Sequence, residues 1–391
     1  MNRPMNSTKV GPPASPSFPD LWRRFFDEVV PAWVKSEYSK KKSLRPEFTE
    51  ADGRFFSRGV VELSESLTLT RGEHLRKSKS SYFAHPRFRS SYLLYFFPLQ
   101  AAKFFTLFEQ NRQSLLKLHE TPFVRVTDFG AGPGTASIAL LIWMISQGRP
   151  LPEKIELTWI DTDFHILKDG AALLNKFLEL EPRLKDRVVL TKKVGPWWSA
   201  NGPNAAAPSV ALFGNVLNEH SGLLESQLSF IENLLENIGP AGAIFMEPAD
   251  RSSSQLLSRL RDQLVEKGLE LAGPCLHHER CPLAMGRDWC HFSTRADLPG
   301  KWFSFFSRGL GSERLWLKYS YLWFKGGHPP KSERKTQNKG PPTTLFRVVS
   351  DPIKGQDGSS FVLLCTPEKP FKLKIANGRR IYRGDIFKRP R

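Results

Sequence analysis

VRVTDFGAGPGT, residues 124–135, starts as a strand of alternating apolar residues and ends in a turn built on glycine. Glycine lets the backbone turn tightly and lets a ligand approach where a Cβ would stand in the way. From Asp128 through Gly130, Gly132 and Gly134 the spacing is D-x-G-x-G-x-G, not the G-x-G-x-x-G that cradles a dinucleotide pyrophosphate. It favours S-adenosylmethionine, whose methionine end lies against such a turn, over a nicotinamide or flavin. A carboxylate is then needed at the tip of the next strand to hold the ribose hydroxyls. TWIDTD, residues 158–163, supplies Asp161, with Asp163 as a substitute.

Beyond this turn, strands and helices alternate: FVRVTDFG, ASIALLIWMIS, KIELTWID, FHILKDGAALLNKFLEL, RVVLTKKV, SVALFGNVL, a helix around LLESQLSFIENLL, GAIFMEP and a helix around SSSQLLSRLRDQLVEKG. The alternation predicts an α/β, Rossmann-like parallel sheet with helices on both faces. Later strands are expected at LKYSYLWFK and SSFVLLCTP, the second in the same sheet. After the fourth strand, FGNVLNEH (residues 213–220) offers Asn215, Asn218, Glu219 and His220. Asn215 is assigned to the cofactor. No Pro-Pro-aromatic unit, which amine methylation commonly uses to hold the nitrogen lone pair, follows it. No catalytic residue is assigned, because such a fold can outlive its chemistry.

Ahead of the core, FPDLWRRFFDEVVPAWV (residues 18–34) has apolar residues at helical spacing behind a Pro19-Asp20 start. YLLYFFPLQAAKFFTLFEQ (residues 92–110) reads as a strongly apolar helix broken or kinked at Pro98. The expected organisation is an N-terminal arm and helical region (1–119), an S-adenosylmethionine-binding core (120–272), and a C-terminal part (273–391) with the cysteine loop, the last core strands and a basic region.

The net charge of +18 points to a polyanionic partner, most simply nucleic acid. Between Lys301 and Arg391, 20 Lys and Arg face 6 Asp and Glu, so this end is the expected polyanion-facing region. Its Trp302, Phe303, Phe305 and Phe306 are expected to stack on unpaired bases. No run of about 18 or more apolar residues occurs, so no membrane span is indicated. MNRPMNSTKV lacks the apolar core of a secretory signal. Arg3 and Lys9 without an acid permit a mitochondrial presequence, but Pro4, Pro12, Pro13, Pro16 and Pro19 spoil an amphipathic helix. A bacterial cytoplasmic protein is therefore expected, and a monomer.

GPCLHHERCPLAMGRDWCHF, residues 273–292, holds Cys275, Cys281 and Cys290, three of the four cysteines. Burial as small hydrophobes, a Pro274-Cys275 nucleophile and metal ligation compete. The C-x5-C-x8-C spacing is too loose for a zinc ribbon and is not the ferredoxin run. Nor is it the tight C-x3-C-x2-C of radical enzymes. With Cys365 from FVLLCTP as a fourth thiolate, metal is favoured, zinc and iron-sulfur both open. His277, His278 and His291 are spare nitrogen ligands.

DFGAGPGT, FMEPAD, GPCxxxxxCPL, WCHF, KYSYLWF and FVLLC together resemble the methyltransferase-like small-ribosomal-subunit assembly factors of mitochondria and bacteria, and the proline-bearing helix 92–110 is similar to that family's. The resemblance covers roughly residues 80–391, and the cysteine set with WCHF is its most specific part. It implies a class I methyltransferase fold and a 4Fe-4S cluster held by Cys275, Cys281, Cys290 and Cys365. It also implies S-adenosylmethionine at Asp128, Gly130, Gly132, Gly134 and Asp161. The implied partners are small-subunit rRNA and assembly intermediates of the small subunit. On this resemblance the protein assists small-subunit assembly; the alternative is an active rRNA methyltransferase using Asn215, Asn218 or Glu219, or Cys275 as nucleophile. The Lys-rich stretch near residues 326–342 departs from the family.

Overall fold

In the computed structural model, the described residues are 9–10, 18–39, 46–69, 82–199, 209–219, 225–286, 288–295, 300–311, 316–326, 345–375 and 381–388. The Lys-rich stretch (all but its first residue, Gly326) and His220 lie outside them. Strands β1 (Phe123–Phe129), β2 (Lys154–Asp161), β3 (Val188–Val194), β4 (Val210–Gly214) and β5 (Gly242–Pro248) pair in parallel in the order β3-β2-β1-β4-β5. The central strands are apolar almost end to end because both faces are covered. In β5, Ile244 and Met246 pack to one side and Ala243 and Phe245 to the other.

Three further strands complete this sheet: β6 (Leu271–Gly273), β7 (Phe292–Arg295) and β8 (Trp316–Phe324). The last runs antiparallel to β5, with Glu247 opposite Ser320. An antiparallel strand beside the fifth parallel one marks the class I methyltransferase fold, as expected. The order reverses between β1 and β4, which places a crevice at the carboxyl ends of these strands.

Helices α1 (Val30–Tyr38), α2 (Glu50–Leu69) and α3 (Phe97–Gln110) form the N-terminal extension, and α4 (Thr135–Ser146) and α5 (Phe164–Leu180) follow β1 and β2. Helix α4 is buried from Thr135 to Met144, so it lacks the polar stripe of a surface helix. The sheet covers one side and α3 the other, where Phe108 meets Trp143 edge-on at 6.4 Å. Phe25 likewise packs on Phe177 of α5. The expected kink at Pro98 takes the form of a π-helical segment over Tyr92–Phe96, and Pro31 follows another over Arg24–Val29. A widened turn accommodates the bond that each proline cannot make. On the opposite face lie α6 (Glu225–Asn237) and α7 (Arg251–Glu266).

The sequence reading placed Cys365 in the main sheet, and the structure corrects this. Strand β8 has β5 on one side and β6 and β7 on the other, so no edge there is open to the Cys365 strand. A separate antiparallel sheet holds β9 (Leu345–Val348), β10 (Ile353–Lys354), β11 (Ser360–Cys365), β12 (Phe371–Lys374) and β13 (Ile386–Lys388), with Lys9–Val10 beside β13. Its own core is Val348, Val362, Leu364, Leu373, Ile381 and Phe387. Aromatic residues expected to stack on bases are also corrected. Trp302, Phe303 and Phe306 of α8 (Lys301–Gly309) are buried, and Trp302 Nε1 donates to Asp27 O at 3.0 Å. Phe305 packs against the same core.

Candidate functional site

Gly130, Gly132 and Gly134 all have positive φ, at 66°, 54° and 78°, a backbone region that only glycine enters freely. Their surroundings differ. A Cβ on Gly130 would stand 2.6 Å from Val216, and one on Gly134 would overlap the Trp159 ring, so these two glycines admit neighbouring protein. At Gly132 an added Cβ meets nothing within 4 Å. Gly132 is therefore the glycine that faces open space. Gly170 of α5 presses on the Pro133 backbone, where a Cβ would come within 2.6 Å. Sequence reasoning missed it, although a glycine inside an apolar helix is a signal of close approach.

Asp128 is 1% exposed, and its Oδ2 accepts from Ser137 N at 3.0 Å and Ser137 Oγ at 2.8 Å. It ties the end of β1 to the first turn of α4 and does not open on the crevice. Burial pushes its carboxyl up to about 7. Asp161 reaches the turn itself. Its Oδ2 accepts from Gly132 N at 2.8 Å and its Oδ1 from Asp163 N at 3.0 Å, and burial raises its pKa. The backbone of Thr162 also donates to this carboxylate. Asp163 instead caps α5, accepting from His165 N at 2.8 Å and Ile166 N at 3.1 Å. Between the two acids, Asp161 is the one placed at the glycines. Two buried polar atoms nearby, Thr135 Oγ1 and Trp159 Nε1, have no hydrogen-bond partner among the described residues.

Asn215, just after β4, has φ 56°, a left-handed conformation rare for a residue with a side chain. The turn behind it hangs on Glu247, a fully buried carboxylate at the end of β5 that accepts from Val216 N at 3.0 Å and Leu217 N at 2.9 Å. With its amide turned to satisfy both groups, Asn218 donates to Asn215 O at 3.1 Å and to Glu247 Oε2 at 3.2 Å. Asn218 is thus held in the protein. The signal for Glu247 was an acid at the end of an otherwise apolar strand, GAIFMEP.

The second site lies across β5. A cavity of about 40 Å³ is lined by Cys275, Cys281, Cys290 and Cys365, with Pro274, His277 and Arg261. All four thiols are free. Among the described residues, no three His, Cys, Asp or Glu side chains form a group that could hold a metal ion as they stand. Burial raises the pKa of Cys281, raises that of Cys290 well above the ordinary thiol value and pushes Cys365 up to about 12, and the neighbouring sulfurs add to each shift. Burial thus holds Cys281, Cys290 and Cys365 toward the protonated form.

Polar contacts hold the cysteine loop in place. Trp289 Nε1 donates to Ala249 O at 2.7 Å, Arg347 Nε to Pro274 O at 2.8 Å, and Cys281 N to Asp262 at 2.9 Å. Ser320 Oγ donates to Cys290 O at 2.8 Å. His277 Nε2 lies 3.4 Å from Cys365 Sγ, whereas His291 turns to Trp289 O at 3.4 Å, and burial pushes its pKa down to about 4. Among the described residues, no helix is long and apolar enough to cross a membrane.

A family model described as mitochondrial small ribosomal subunit Rsm22 matches residues 121–391. The description is mitochondrial, which overturns the bacterial cytoplasm expected from the sequence. The prolines of the first nineteen residues weigh only against an amphipathic helix. No curated protein matches the chain. Among solved structures, a putative class I S-adenosylmethionine-dependent methyltransferase from Listeria monocytogenes is 12% identical, covering 80% of this chain and 91% of its own, with a TM-score of 0.35. A putative RNA methyltransferase from Pyrococcus horikoshii is 11% identical over 70% of this chain and 100% of its own, also at 0.35.

Proposed function

The chain belongs to the mitochondrial small ribosomal subunit Rsm22 family, and from that premise we propose that it is an S-adenosylmethionine-binding, 4Fe-4S-containing assembly protein acting on small-subunit rRNA. The observation that carries the proposal is the convergence of Cys275, Cys281 and Cys290 with Cys365, from a different sheet, on one cavity. Four thiolates gathered from two distant segments suit a cluster that staples those segments together. Iron-sulfur is the reading for this donor set, with zinc as the outcome that would displace it.

S-adenosylmethionine is assigned to the crevice at Gly132, Asp161 and Asn215, with Gly130, Gly134 and Asp128 shaping the turn. The open space at Gly132, the unpartnered Thr135 hydroxyl and the placement of Asp161 at Gly132 support this assignment. When bound, the cofactor supplies an electrophilic methyl group. Among the described candidates, Asn218 is engaged with Glu247 and is not free to activate a methyl acceptor. Assembly is therefore favoured over methyl transfer, and the basic C-terminal quarter is assigned to rRNA phosphates.

The test is the full chain purified without oxygen. A brown protein containing iron and sulfide, binding labelled cofactor and immature small subunits without labelling their RNA, is the expected result. Zinc without iron would refute the cluster, and label transferred to RNA would replace assembly by catalysis.

A further inference from the structure

Arg261 of α7 is 1% exposed and lines the cavity of the four thiols. A buried guanidinium is costly unless its charge is compensated and its donors are satisfied. Two of those donors hold the cysteine loop, Nη1 bonding Glu279 O and Nη2 bonding His277 O, while Nη1 also bonds Asp262 Oδ1 of α7 at 2.6 Å. Both carbonyls lie between Cys275 and Cys281. Buried Nε–H, however, has no partner among the described residues.

Two more arginines approach from other elements. Arg347 of β9 donates to Pro274 O and Gly384 O at 2.8 and 3.0 Å and acts through space on Cys365. Arg383 bonds Val349 O and acts on Cys290. Against three guanidiniums stand Asp262 at 2.6 Å from Arg261, Asp351 at 3.6 Å from Arg383 and, acting on Arg383 through space, Asp288. The wall thus keeps an unused buried donor, Arg261 Nε–H, with two further guanidiniums acting on its thiols.

We infer that the cavity is built for a sulfur-rich occupant of net negative charge, and that Arg261 is the positioning residue that stabilises its more negative state. Four thiolates around an iron-sulfur core carry net negative charge, and one electron added to the core makes it more negative. A fixed cation in a low-dielectric wall favours that reduced form, and a donor to sulfur does the same. This rests on the iron-sulfur reading above.

The experiment titrates the anaerobically purified full chain with dithionite, an external one-electron source, against redox dyes, following the visible absorption. Compared are wild type, Arg261→Lys, Arg261→Met and, from a separate element, Arg383→Met. Lysine keeps the charge and loses the carbonyl fork; methionine loses both. Expected is a reduced-to-oxidised ratio roughly tenfold lower in Arg261→Met at a fixed poise, about 59 mV for one electron. Arg261→Lys should stay within about threefold of wild type, and Arg383→Met should shift in the same direction as Arg261→Met. If Arg261→Met does not fold, the Arg383→Met arm decides. Coincident titrations of wild type and the methionine variants overturn the inference while leaving the cluster intact. Loss of the Lys variant's potential alongside the Met variant's overturns it too, since only the fork would then matter. A wild-type chain without iron overturns the cluster reading and this inference together.

Discussion

Gly132→Ala and Gly134→Ala add the same methyl group to the same turn, two residues apart, yet the structure separates their effects. Both sites have positive φ, which costs alanine about 1–2 kcal/mol. At Gly134 the methyl also overlaps the buried Trp159 ring, and overpacking a rigid aromatic adds about 1–3 kcal/mol. Gly134→Ala should therefore lose about 2–5 kcal/mol, a large part of the roughly 5–15 kcal/mol that holds a domain together. Gly132→Ala should lose only the backbone share, about 1–2 kcal/mol, because its methyl meets open space. That open space is where the cofactor is proposed to lie, so Gly132→Ala should weaken S-adenosylmethionine binding at least tenfold while folding nearly normally. Urea unfolding gives the first quantity and equilibrium binding of labelled cofactor the second. Equal stability losses at the two sites would refute the packing assignment. Wild-type affinity in Gly132→Ala would refute the placement of the ligand.

Cys365→Ser should abolish iron retention and speed amide exchange across residues 273–292, read by mass spectrometry; unchanged iron would remove Cys365 from the site. Glu247→Ala strands the Val216 and Leu217 amides, at about 1–3 kcal/mol each, and Glu247→Gln, which keeps an acceptor, should recover most of the loss in urea unfolding. Burial lifts Asp128 to about 7, so the folded chain keeps a proton that the unfolded chain releases near pH 4. The associated stability is full below about pH 4 and is lost as pH rises through about 7. Asp128→Asn cannot ionise, so its unfolding free energy should fall less than that of wild type between about pH 4 and 7; parallel slopes would count against a raised Asp128.

The main sheet was legible because its strands are buried on both faces and their apolar runs stand clear of the helices between them. The glycine turn and Asp161 were legible as a spacing. The division of labour within the turn was not, because Val216 and Trp159, which make Gly130 and Gly134 obligatory, are distant in sequence. The same limit hid the sheet membership of Cys365: alternation along SSFVLLC gives a strand, while its neighbours are set by which edges other strands leave open. Trp302, Phe303 and Phe306 misled in the opposite direction, since an aromatic run beside basic residues is equally well a core anchor. Arg261 left no trace in composition. One arginine in the helical pattern of α7 differs from its neighbour Arg259 only in facing the thiols.

Cys365 follows Cys290 by 75 residues and sits in a sheet that folds on its own core. During synthesis at about 5–20 residues per second, three thiols are exposed for roughly 4–15 s before the fourth has been made. A chain that stops short of β11 cannot close the cavity at all. Whatever the thiols hold therefore registers that translation has passed residue 365, and a shortened product is distinguishable from a finished one by a single chemical property.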